Sequence, residues 1–188
     1  MLRIKWYWNY NEKEIKLKHR YQENSHIISI SENSKRNISI VRLITLILLV
    51  TILFSLSKVY FLTNVISIFL AIIFGFLSII IHELIHAIFF KKDVYICINL
   101  FKGIAFTYGT ETMTKGKYII TSFAPIFILG VIPFVIYLFF NSNLFLGVFG
   151  IYSIMIGISD IYNIYNVLKN TPKKCNVFLS DNNAYWFV

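Results

Sequence analysis

Charge is scarce in this chain: of its 188 residues only 14% are Asp, Glu, Lys or Arg, and only nine of them are acidic. A soluble domain keeps roughly a quarter of its residues charged, so an ordinary water-soluble globule is excluded. Cysteine is nearly absent. Two residues, Cys97 and Cys175, are too few for a disulfide-stapled scaffold. Three prolines and eight glycines form no Pro-rich or Gly/Ser-rich stretch that would divide the chain into linked domains. No internal repeat is present, which argues against solenoids and against repeat-built transporters.

Apolar residues fill the space: 57% of the chain is hydrophobic and 18% aromatic. The continuity of the runs matters most, because a helix needs about 20 nearly uncharged residues to cross a hydrocarbon core about 30 Å thick. Roughly 41 to 90, 118 to 140 and 143 to 168 qualify. The first run is too long for one helix, and Lys58 with the Thr63-Asn64 pair marks a turn between two spans. The expected architecture is therefore an all-α integral membrane protein of about four transmembrane helices. It comprises an N-terminal tail (1–40), a membrane domain (41–168) and a C-terminal tail (169–188). The first span reads as a retained helix, since about 40 mostly polar residues precede it and no small-residue cleavage site follows its apolar core.

The formal net charge of +9 is spread along the chain. Lys35, Arg36 and Arg42 precede span one; Lys91, Lys92, Lys102, Lys115 and Lys117 separate spans two and three; Lys169, Lys173 and Lys174 follow span four. Lys58 alone falls on the opposite side. This distribution reads as topology in a cell membrane, with both termini and the 91–117 loop cytoplasmic, and not as a nucleic-acid patch. Both cysteines then face a reducing compartment as unpaired thiols.

Trp6, Tyr7, Trp8 and Tyr10 make an aromatic cluster that suits either a membrane interface or a short surface strand. Val94 to Leu100 and Ile104 to Thr110 are β-prone runs around Phe101-Lys102-Gly103, and they predict a small cytoplasmic hairpin. That hairpin either lies against the membrane or offers an edge to an extended peptide. Pro125 and Pro133 fall inside span three, where proline means a kink whose freed carbonyl is satisfied by neighbours.

Ionisable groups within apolar spans are costly unless paired, hydrated or bound to metal. Among the nine acids, only Glu83 and Asp160 fall in the spans. The only histidines there are His82 and His86, which flank Glu83 in Ile81-His82-Glu83-Leu84-Ile85-His86-Ala87. Four residues make slightly more than one helical turn, so His82 and His86 share a face and can offer nitrogens to one ion. Glu83 lies about 100° round the helix from His82, beside such an ion without having to ligate it, which is the position of a general base. Catalytic zinc takes three protein ligands and keeps one position open. Asp160 is the candidate for the third, because His82 and Asp160 both lie about 26 Å along their helices from the outer side. Its alternative is to cap the end of span four beside Ser159 or Asn163.

With these residues the chain resembles membrane-embedded metalloproteases of the site-2 protease type. It resembles still more closely the DUF3267 family of small zincin-type membrane proteins. The likeness covers roughly 60 to 168, through His82-Glu83-Leu84-Ile85-His86, Ala124-Pro125 and Ser159-Asp160. It implies zinc held by His82, His86 and Asp160, with Glu83 activating water to cleave a peptide bond in or near the membrane. The site-2 pattern sets its aspartate in an Asn-Pro-x-Asp-Gly-like surround, whereas this chain reads Ile158-Ser159-Asp160-Ile161-Tyr162. The expected partners are a peptide or membrane-protein substrate and the bilayer. The alternative is a non-enzymatic membrane protein that binds metal, conducts ions or protons, or regulates others.

Overall fold

A computed structural model of the protein describes residues 4–10, 22–28, 40, 43–44, 47, 61–99, 104–140, 144–180 and 183–188. The chain divides into two compact units, one formed by Met1–Ile30, Glu83–Phe123 and Asn163–Val188, the other by Ser31–His82 and Ala124–Tyr162.

The first unit contains strand. β1 (Ile4–Trp8), β3 (Val94–Asn99) and β4 (Ile104–Gly109) form one sheet in the order β1-β3-β4. β1 runs parallel to β3, pairing Ile4 with Val94 through Trp8 with Ile98. β3 and β4 form the expected antiparallel hairpin, from Val94 opposite Gly109 to Asn99 opposite Ile104; its turn at 101–103 lies outside the described residues. β1 stops just before Asn9, whose φ of 58° is one that Asn tolerates better than most residues. The pairing continues beyond it, with Tyr10 N–H donating to Ile98 O at 3.0 Å and Asn99 Nδ2 to Tyr10 O at 3.1 Å. Tyr10, Cys97 and Tyr108 form the buried centre of this sheet, against Tyr7, Tyr95, Phe106 and Leu179.

A second sheet, β2-β7-β6-β5, joins β2 (His26–Ile28), β5 (Met113–Thr114), β6 (Asn176–Ser180) and β7 (Asn183–Phe187). All its pairings are antiparallel. Its core is Ile28, Val167, Cys175 and Val177, with Tyr118, Ile119 and Trp186 packed on it.

The expectation of an all-α protein with one hairpin is therefore wrong. The segments read as tails contain the paired strands β1, β2, β6 and β7, and the aromatic cluster at 6–10 belongs to β1 and the residues that continue its pairing. The physical reason is distance along the chain. β1 finds its partner about ninety residues away, and β2 pairs with β7 near the other end, which no local periodicity reveals.

The spans are also corrected. α1 (Phe61–Ile88) is an unbroken 28-residue helix that already includes Thr63 and Asn64, where a turn had been expected. The first expected span and Lys58 lie outside the described residues, apart from Ile40, Leu43, Ile44 and Ile47, which are helical. α2 (Lys115–Pro125), a π-helical segment (Ile126–Val131) and α3 (Ile132–Phe140) run on from one another. The last expected span is two helices, α4 (Leu144–Ile156) and α5 (Ile158–Asn170), bent by 49° at Gly157. Among the described residues, two helices are long and apolar enough to cross a membrane, Val65–Ile88 and Lys115–Phe139, with the bent pair a third if it is one span.

Within the second unit, glycine permits close approach. A Cβ on Gly150 would stand 2.8 Å from Gly130 O, so α4 and the π segment meet backbone to backbone there.

In the first unit the end of α1 is tied down by Glu111. Its Oε2 accepts the N–H groups of Lys91 (2.6 Å) and Lys92 (3.2 Å), and its Oε1 pairs with Lys117 Nζ. Burial alone would raise this carboxyl, but Lys117 and the two amides outweigh burial and hold it below the usual carboxylate value.

Candidate metal centre

The last turns of α1 bring His82, Glu83 and His86 to 3%, 5% and 8% exposure. Three polar, ionisable side chains at that depth in an apolar helix need partners. Each has one.

His82 Nε2 lies 3.0 Å from Asp160 Oδ2, and Asp160 keeps 19% of its side chain exposed. Asp160 sits in the first turn of α5, where its N–H donates to Gly157 O at 3.0 Å. The break that puts it there occurs where a side chain does not fit. A Cβ on Gly157 would overlap the Ile126 side chain and stand 3.3 Å from His82 Cε1. Asp160 therefore enters from the start of a helix, not from within the continuous span expected.

His86 Nδ1 lies 2.9 Å from the main-chain oxygen of Thr121. A carbonyl only accepts, so Nδ1 carries the proton, and Nε2 is the nitrogen that can ligate. Glu83 is met by Thr107 of β4, whose Oγ1 lies 2.8 Å from Glu83 Oε2 and 2.9 Å from Glu83 O. The buried Cys97 thiol is pushed up to about 12, first by burial and then by the negative charge of Glu83. That holds it as a neutral thiol.

α1 is unbroken through this region, so helical geometry fixes His86 one turn beyond His82. Ligand atoms of His82, His86 and Asp160 all lie within 4.8 Å of one another. Ligands about 2.0–2.2 Å from a tetrahedral zinc stand about 3.4 Å apart, so the donor set of two imidazoles and a carboxylate suits a three-ligand zinc site, with the more widely spaced atoms drawing inward by about an ångström to share one ion.

Three contributors were not anticipated. Thr107 had a signal in the alternation of the β4 run, but nothing local said which face met α1. Gly157 had one in its place three residues before Asp160. The Thr121 oxygen had one in Pro125, whose freed carbonyl was expected to find a neighbour.

The fold and site define a mixed α/β protein with a His-Glu-x-x-His helix and a candidate metal-ligand cluster. Residues 75–176, more than half of the chain, match the model of the DUF3267 family, described as "Putative zincin peptidase"; the chain belongs to this family. No curated protein and no solved structure matches it.

Proposed function

We propose that the protein is a membrane-embedded zinc endopeptidase, with His82, His86 and Asp160 as the metal ligands and Glu83 as the general base. The observation that carries this reading is the convergence of three ligand atoms within 4.8 Å next to a buried glutamate oriented by Thr107. Zinc bound there would supply a Lewis acid that acidifies water and polarises a peptide carbonyl. The Glu83 carboxylate takes the proton from the attacking water and delivers it to the amine nitrogen released from the scissile bond. Thr107 Oγ1 holds that carboxylate in place, and the Thr121 oxygen holds the His86 ring.

β4 is an outer strand in the order β1-β3-β4, and it bears the hydroxyl that touches Glu83. An extended peptide paired along its edge would pass the base, which favours a substrate presented as a strand. Embedding in the bilayer is supported by the outward-facing apolar side chains of α1, including Val65, Ile66, Phe69 and Phe74, since most of its apolar length is exposed. The N-terminal, 83–123 and C-terminal segments belong to one unit joined by strand pairing, which favours a single, cytoplasmic side for all three.

The test is Glu83→Gln, co-reconstituted with a panel of single-span reporter proteins. Cleavage by the wild type should fall at least about 100-fold in the variant while zinc remains bound. Turnover that survives the substitution would sink the role given to Glu83.

A further inference from the structure

In an α-helix the N–H of residue 125 would bond the carbonyl of residue 121, and Pro125 has no N–H to give. The oxygen that Pro125 leaves without its helical donor is the one that lies 2.9 Å from His86 Nδ1. Thr121 is buried, 5% exposed, with its hydroxyl turned to Met113 Sδ at 3.9 Å. An unpaired carbonyl at that depth costs about 1–3 kcal/mol; a histidine Nδ1–H removes that cost and in return loses its own freedom to rotate or change tautomer.

We infer that Pro125 is a positioning residue for the metal centre: by denying Thr121 O its helical donor, it reserves that oxygen for His86 and fixes the ring with Nδ1 protonated and Nε2 presented to the metal. The inference rests on the zinc reading of the site and extends it to a residue outside the ligand set. Outer partners that orient a ligating histidine are worth about 10- to 100-fold in metal affinity.

Pro125→Ala restores the N–H, and with it a competitor for Thr121 O, while raising helix propensity. The experiment measures zinc affinity by chelator competition on the full chain in detergent, together with ¹⁵N spectra of the histidine rings in metal-free protein. Pro133→Ala is the control, since it relaxes the same long helix without touching this carbonyl. The expected result is 10- to 100-fold weaker zinc binding and loss of the Nδ1–H tautomer of His86 in Pro125→Ala alone, with no fall in Tm. Unchanged affinity or tautomer in Pro125→Ala, or equal losses in Pro133→Ala, overturns the positioning role and leaves the zinc site standing. A wild type that binds no zinc overturns both.

Discussion

Nε2 of His82 and Oδ2 of Asp160, 78 residues apart in sequence, stand 3.0 Å apart. Without metal the imidazole Nε2–H donates to the carboxylate; a cation taking both atoms as ligands would need the other tautomer of the ring, with the proton on Nδ1. Detergent-purified wild type should hold near-stoichiometric zinc, and both His86→Ala and Asp160→Ala should lose it with folding intact. If Asp160→Ala keeps its zinc, Asp160 is only a hydrogen-bond partner of His82.

Thr107 Oγ1 has one proton and two acceptors within 3 Å, the Glu83 carboxylate at 2.8 Å and the Glu83 carbonyl at 2.9 Å. Either bond ties β4 to the base. Replacing Thr107 by Val preserves shape and removes the hydroxyl. Since a hydrogen bond to a charged group contributes about 1.5–3 kcal/mol, peptidase turnover should fall about 10- to 100-fold while zinc content stays unchanged. Equal loss of zinc and activity would mean that Thr107 supports the fold of the site and not the base.

What could be read in advance follows from how far each relation extends along the chain. His82, Glu83 and His86 lie within one helical turn or so, and a count of residues from the outer side placed Asp160 at the same depth as His82. The β3–β4 hairpin was likewise local. The parallel partnership of β1 with β3, and of β2 with β7, is not written in any window of ten or twenty residues. Nor is the bend at Gly157, which depends on Ile126 and His82 occupying the space a side chain would need. The unbroken start of α1 through Thr63 and Asn64 was missed because two polar residues read locally as a turn. α1 begins at Phe61, three residues before Asn64, so these two polar residues form its first turn, close to where the second span was expected to start.

Gly157 is a direct probe of that crowding. A methyl group there would force Ile126 aside and press toward Cε1 of His82. Gly157→Ala should lower stability by about 1–3 kcal/mol, the usual cost of overpacking, and weaken zinc by about ten-fold, or about 1.4 kcal/mol. Gly116→Ala is the control, because a Cβ at Gly116 meets nothing within 4 Å. Thermal melts and chelator competition on the two variants should diverge, and equal behaviour would remove Gly157 from any part in placing His82.

Glu111 links acid sensitivity to the end of α1. Its carboxylate accepts from Lys91 and Lys92 N–H and pairs with Lys117, and these partners together hold its folded-state value below the ordinary 4.5 despite burial. A group whose value is lowered on folding stabilises the native state fully above its unfolded value, and that contribution disappears as pH falls through the folded one. Glu111→Gln should therefore cost about 1–3 kcal/mol at neutral pH, where the amide nitrogens of Lys91 and Lys92 lose a charged acceptor. The gap between wild type and variant should close as pH drops below 4.5. Denaturation of both proteins in detergent at pH 7, 5 and 3 measures it; a gap that persists unchanged at the lowest pH would show that the side chain acts through packing and not through its charge.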